Sequence, residues 1–123
     1  METPKPFIYK FKVTSVYDGD TVTGDIDLGF NIYLTNQKIR LYGINAPEIT
    51  GLERSNGLIT KERVKSLVEG KNVLLETFKD RTEKYGRWLG ILHYKIADTD
   101  TNLINLNEQL ITEGLATKYT GLV

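Results

Sequence analysis

Ile39-Arg40-Leu41-Tyr42-Gly43-Ile44-Asn45-Ala46-Pro47-Glu48 reads as the end of a β-strand running into a stop. Lys38–Asn45 carries the strand, and Pro47, which cannot donate to a sheet ladder, marks its end. Upstream, Phe7, Tyr9, Phe11 and Val13 alternate with Ile8, Lys10, Lys12 and Thr14, which predicts a first strand with one mostly apolar face. The apolar position then moves to Val16, so the parity slips near Ser15, as it does at a β-bulge. Asp18-Gly19-Asp20 predicts a tight turn. Thr21–Leu28 alternates again, with Val22, Ile26 and Leu28 on one side and Thr21, Thr23, Asp25 and Asp27 on the other. Gly29–Gln37 is a hairpin-like connection into the third strand.

Downstream, Ile49–Asn56 is polar, contains Gly51, and is expected to be a mobile loop. Thr60, Val64, Leu67 and Val68 recur at helical spacing, with Gly70 where a C′ glycine belongs. Val73–Phe78 and Trp88–Lys95 predict two further strands joined by a charged turn containing Gly86. Asn105 and Glu108 have capping-box spacing, Leu106, Leu110 and Ile111 make the apolar stripe of a short helix, and Gly114 ends it. The fold class is therefore mainly β with helices (α+β). Its expected form is a five-stranded OB-fold barrel, with one helix between strands three and four and a short helix after strand five. Residues 1–123 are expected to form one domain, with Met1–Pro6 as a loose leader.

Composition excludes several classes. No stretch approaches the roughly 18 apolar residues of a membrane span, so no membrane partner is expected. Met1 to Lys12 contains no apolar h-region, so a signal peptide is not expected; the compartment is cytoplasmic, or the chain is a mature secreted form without its leader. The absence of cysteine rules out disulfides and thiolate metal sites, and the single His93 rules out multi-histidine zinc sites. Sixteen basic and 16 acidic residues give a formal net charge of +0, so any affinity for polyanions must come from local clusters.

Three clusters carry chemistry: Asp18-Gly19-Asp20-Thr21 at a turn, Arg40 with Asn45-Ala46-Pro47-Glu48 at a strand end, and Arg81-Thr82-Glu83-Lys84-Tyr85-Gly86-Arg87 entering a strand. Taken singly, each has a plainer explanation: a hairpin turn, a surface ion-pair arginine, a solvated charged hairpin. Together they supply what phosphodiester hydrolysis requires. Oxygen ligands hold a hard cation, a carboxylate activates water, and guanidinium groups grip phosphate oxygens in two-pronged fashion.

The quoted pieces, in order, resemble the staphylococcal (micrococcal) nuclease family. They are Val16-Tyr17-Asp18-Gly19-Asp20-Thr21-Val22, then Ile39 to Glu48, then Glu83-Lys84-Tyr85-Gly86-Arg87, then Asn107-Glu108-Gln109-Leu110-Ile111-Thr112-Glu113-Gly114-Leu115-Ala116. The resemblance runs from about Val13 to Tyr119. It implies a Ca2+-dependent endonuclease acting on DNA and RNA as a monomer, preferring single strands or breathing duplex, and leaving 3′-phosphate and 5′-hydroxyl ends. It implies Asp20, Asn45 and the Ala46 backbone carbonyl as metal ligands, with Asp18 behind them. It implies Arg40 and Arg87 as the phosphate clamp, Glu48 as general base, and Lys84, Tyr85 and Tyr119 around the bound nucleotide. The alternative is a non-catalytic OB-fold module that binds nucleic acid. His93 is expected to be a strand residue with no chemical role, and Trp88, Tyr9, Tyr17, Tyr33, Tyr42 and Tyr94 to be barrel core or rim.

Two departures from the family pattern stand out. The longer C-terminal helix of the type enzyme is expected to be missing after Gly114-Leu115-Ala116. Asn45 stands where the resemblance implies an aspartate, and ligand charge tunes calcium affinity. Asn45→Asp is therefore expected to lower the calcium concentration that half-saturates cleavage. A calcium titration of the variant checks this, and an unchanged requirement refutes it.

Overall fold

The computed structural model describes residues 7–97, 99 and 101–119, and every side chain among them except that of Lys79. Met1–Pro6, expected as a loose leader, lies outside the described residues. The elements are β1 (Ile8–Asp18), β2 (Thr21–Asp27), β3 (Tyr33–Leu41), β4 (Ile44–Asn45), α1 (Arg54–Val68), β5 (Asn72–Thr82), β6 (Trp88–Tyr94), β7 (Ile104–Asn105), α2 (Leu106–Thr112) and β8 (Thr117–Lys118).

The main sheet runs β3-β2-β1-β5-β6-β7 and closes through a parallel pairing of β3 with β6. The closed part is a five-stranded barrel of β1, β2, β3, β5 and β6, antiparallel except at that seam. This is the OB-like barrel read from the sequence, with α1 between the third and fourth barrel strands and α2 after the fifth. Phe11, Val13, Val22, Ile39, Leu41, Leu75 and Leu92 fill it, and Val64, Val68, Leu106 and Leu110 of the helices extend the same core. Among the described residues, no helix is long and apolar enough to cross a membrane.

The slip in β1 is real. Phe11 and Val13 are buried, Thr14 and Ser15 are exposed, Val16 is buried again, and the pairing to β2 shifts between Val13 and Ser15. The bulge region also anchors α1. Gly70, at φ 77°, turns the chain so that its N–H donates to the Val13 carbonyl at 2.8 Å while the Val13 N–H donates to Lys71 at 3.0 Å.

Four expectations change. The third strand starts at Tyr33 rather than Lys38, because its pairing with β2 continues out to Asp27↔Tyr33. It also ends at Leu41: the chain turns through Gly43, at φ 80°, and Ile44–Asn45 pairs with Thr117–Lys118 instead. Leu28 leaves the apolar side and is exposed, because β2 stops at Asp27 and the hairpin turns at Gly29. The segment expected as a loop from Ile49 to Asn56 contains a single 3-10 turn, Gly51–Glu53, and then the first turn of α1. That turn is polar, so apolar periodicity could not reveal it.

Outside the barrel, α1 and α2 are tied by a two-pronged ion pair, Arg63 Nε and Nη2 donating to Glu113 at 2.9 and 2.8 Å. These bonds, with one from Gln109, hold the Glu113 carboxyl down to about 2, against an ordinary value of 4.5. A depressed carboxylate contributes stability above its unfolded pKa and loses it as pH falls through its folded pKa. Glu113→Gln is therefore expected to melt lower than the parent at neutral pH, with the gap closing as pH drops from about 4.5 to about 2. Thermal melts across that range check it; a gap independent of pH refutes it.

Candidate active site

The β1–β2 turn is two residues long, flanked by the pair Asp18↔Thr21. Gly19 is not in the left-handed region, so backbone freedom does not explain it. Space does: a Cβ there would lie 2.4 Å from Thr60 Cγ2 on α1 and 2.7 Å from Ala46 Cβ. The turn is thus pressed between the helix and the segment after β4. Asp20 is buried and fully engaged. Its N–H donates to Asp18 Oδ1 at 3.1 Å, its carbonyl accepts from Leu41 at 2.8 Å, and its Oδ2 accepts from the Ala46 N–H at 2.9 Å.

Both arginines reach this carboxylate. Arg40, 6% exposed, places Nη2 at 3.5 Å from Asp20 Oδ2 and 3.4 Å from Asn45 Oδ1, while Nη1 donates to the Leu41 carbonyl at 2.9 Å. Arg87 Nη1 donates to Thr21 Oγ1 at 3.1 Å, and that hydroxyl donates to Asp20 Oδ1 at 3.3 Å. One oxygen of Asp20 therefore faces Arg40 directly, and the other faces Arg87 through Thr21. Register explains the convergence, because Thr21 pairs with Arg40 on β3, and β6 starts one residue after Arg87 and joins β3 at Ile39↔Trp88.

Asp18 faces Asp20 in the same partly buried corner. Burial first, then the Asp20 charge, push its carboxyl up to about 6, and the Asp20 N–H and Arg40 offset part of the rise. The donor set is made only of hard oxygens: Asp18, Asp20 and the Asn45 amide. Among the described residues, no three His, Cys, Asp or Glu side chains group as a metal site.

The remaining candidates border this centre. Glu48 is exposed on the loop two residues beyond Ala46 and forms no hydrogen bond or ion pair with Arg40 or Arg87. Gly57 sets its position: a Cβ at Gly57 would lie 2.1 Å from the Glu48 carbonyl oxygen. Tyr85 is largely exposed, with Arg87 Cζ 5.6 Å and Lys84 Nζ 5.1 Å from its ring centre. Tyr119 is half-exposed on the opposite border, its N–H donating to Gly43 at 2.9 Å. A cavity of about 120 Å³ lies beside Asn45, Ala46 and Pro47. Of the aromatics expected as core or rim, Tyr94 is buried, and Tyr17 and Tyr33 are more than half exposed. His93, near the far end of β6, contacts Glu76 at 2.9 Å.

Sequence reasoning missed several supports. Glu83 is one of them. Its Oε1 accepts from the N–H of Tyr85 at 3.0 Å and of Arg87 at 2.8 Å, and its Oε2 pairs with Arg87 Nη2 at 3.0 Å. The bond from Arg87 holds the Glu83 carboxyl below its ordinary value, and the same bond raises Arg87. Asn107, buried on α2, donates to the carbonyls of Tyr42 and Gly90 at 2.9 and 3.2 Å and so fixes the start of the Asn45–Glu48 segment. A capping-box reading could not find it, since only Asn105 caps the helix, accepting from Glu108.

Comparison with known proteins decides the family. The staphylococcal nuclease homologue profile matches residues 38–122, more than half of the chain. The chain belongs to the staphylococcal nuclease homologue family. The match includes Arg40, Asn45, Ala46, Glu48, the Glu83–Arg87 turn and α2, and the paired β1–β2 turn completes the same barrel. A relative, an uncharacterized protein MJ1439 of Methanocaldococcus jannaschii, is 29% identical over 90% of this chain. This chain spans 59% of that protein's length.

Glu83→Gln keeps an acceptor for the turn but removes the charge facing Arg87. Loss of a hydrogen bond to a charged group costs about 1.5–3 kcal/mol. Urea unfolding followed by fluorescence of the single Trp88, adjacent to Arg87, is expected to show a loss of about that size. An unchanged midpoint refutes the role.

Proposed function

We propose that this chain is a calcium-dependent endonuclease that hydrolyses phosphodiester bonds of DNA and RNA, leaving 3′-phosphate and 5′-hydroxyl ends. In this proposal residues 1–123 form one domain acting as a monomer, on single strands or breathing duplex. The observation that carries it is the convergence of two guanidinium groups, Arg40 and Arg87, on the two oxygens of the buried Asp20. A buried and a part-buried cation held around one carboxylate make a preorganised cradle for an anion whose charge grows during reaction.

The residues fit a hard cation. Asp20, the Asn45 amide oxygen and the Ala46 carbonyl would hold Ca2+, with Asp18 behind. When bound, the ion would supply positive charge at the scissile phosphate. The chain's own groups do the rest. Glu48, exposed and without a hydrogen-bond or ion-pair partner for its side chain among the described residues, takes the proton of the attacking water. Arg40 neutralises charge on the phosphorus oxygens. Among the described residues, Arg87 Nε is the buried side-chain nitrogen with no hydrogen-bond partner. A phosphate oxygen would relieve that cost, and the same guanidinium stabilises the departing 5′ oxygen. Tyr85 and Tyr119 flank the nucleotide, and Lys84 adds a point charge beside it.

The second reading, a barrel that binds nucleic acid without cutting it, is favoured by one observation: Asn45 leaves the centre with too few carboxylates for a three-acid metal group.

Digestion of single-stranded DNA with millimolar calcium, against EGTA and Glu48→Gln, separates the two. Calcium-dependent cleavage that falls by about 10²–10⁴ in the variant is expected for loss of a general base. Binding with no cleavage at any calcium concentration would overturn the nuclease proposal in favour of the binding module.

A further inference from the structure

A groove of about 960 Å³ lies away from the site, where Lys10–Lys12 of β1, the start of β5 and the end of β6 come together. Lys10, Lys12, Lys71 and Lys95 line it, all exposed, with Tyr33 at one side and His93 in its floor. Lys10 and Lys12 flank the buried Phe11 and so point outward together, about 6.6 Å apart at two residues along a strand. None of the four lysines has an ion-pair or hydrogen-bond partner among the described residues. Two acids share the lining and face two of these lysines across the β1–β2 ladder, Asp27 opposite Lys10 and Asp25 opposite Lys12. Asp25 accepts from the Asn36 N–H at 3.1 Å and Asp27 from the Gly29 N–H at 2.7 Å, holding the β2–β3 hairpin. Asp98 and Asp100, on the neighbouring segment, lie outside the described residues. On a chain of net charge +0, four lysines against two aspartates leave the described lining net positive beside an exposed aromatic ring.

We propose that this groove is a second nucleic-acid-binding surface, which grips the phosphate backbone of a single strand whose distal part lies in the candidate active site. The lysines neutralise phosphates of the strand, and Tyr33, 56% exposed, offers a face for a base to stack on. The barrel links the two places. β1 runs from Lys10 and Lys12 to Asp18, β6 from the site-side Trp88 to His93, and β3 from Tyr33 to Arg40. Six residues of strand from Lys12 to Asp18 span about 20 Å, within the roughly 4–16 nucleotides an OB fold occupies. A short oligonucleotide fills one place, and a long one bridges both. The proposal rests on this chain binding nucleic acid, but not on its cutting it.

The test is binding of fluorescein-labelled DNA of about 4 and about 20 nucleotides, spanning the OB-fold range, to the whole chain in EGTA at several salt concentrations. The variants are Lys10→Ala/Lys12→Ala/Lys71→Ala/Lys95→Ala and the matching quadruple Lys→Arg. With alanine, the longer strand is expected to bind at least about ten-fold more weakly, with a salt slope smaller by about 3, near 0.7 per lost phosphate contact. The shorter strand and the arginine variant are expected to keep parental binding. Equal long-strand affinity and salt slope in parent and alanine variant would overturn the proposal. So would parental binding to phosphatidylserine vesicles as tight as to the long strand, since that marks a general polyanion surface. If the alanine variant proves unfolded by circular dichroism, Lys10→Ala/Lys12→Ala alone decides it, with about half the loss of slope expected and no change overturning the proposal. Lysine-dependent binding without calcium-dependent cleavage leaves this inference standing and removes the nuclease proposal. Cleavage with lysine-independent binding does the reverse.

Discussion

The turn between β1 and β2 is wedged so tightly against Thr60 and Ala46 that residue 19 has no room for a side chain. The rest of the site depends on this contact. It brings a barrel turn, the first helix and the segment after β4 to one point, joining positions 19, 46 and 60 of the chain. The Ala46 N–H then bonds Asp20 Oδ2, which fixes the carboxylate that Arg40 and Arg87 approach. Gly57 makes a second close approach of the same kind against the Glu48 carbonyl. Two glycines thus hold α1 against the loop that presents the exposed carboxylate.

Charge balance follows from that packing. Asp18 and Asp20 share a partly buried corner, and desolvation first, then repulsion, raise Asp18. Arg40 is buried with Asp20 rather than solvated, and Arg87 is held on the other side by Glu83. Removing one member of such a set leaves a buried charge unpaired, which is costly, whereas the complete set is close to neutral.

Barrel closure decides which residues can meet. The parallel seam between β3 and β6 places Leu89 opposite Arg40 and brings the Glu83–Arg87 turn over Thr21. The same strands carry their other ends, with Tyr33, Lys10 and His93, to the opposite groove. One barrel thus has a mixed-charge end built on acids and arginines and a lysine-lined end, although the chain as a whole has no net charge.

Much of this was legible in the amino-acid order. The alternation in β1, with its slip near Ser15, the helical spacing of Val64 and Val68, and the glycines at 70 and 114 are local signals, because side-chain period and backbone conformation act over a few residues. They were enough for the element order and the barrel class. The ordered motifs from Asp18 to Arg87 likewise named the groups that meet around Asp20. Local signals could not show where β3 begins and breaks, since its extra length is held by pairing with β2 and its end by Asn45 pairing with Thr117. They could not show the polar first turn of α1, whose residues bury no apolar stripe. Nor could they show that Gly19 is required for contact rather than for its turn, that Glu83 braces Arg87, or that Asn107 ties α2 to Tyr42. Those contacts join residues far apart in the chain or turn on side-chain direction, and only the closed barrel sets either.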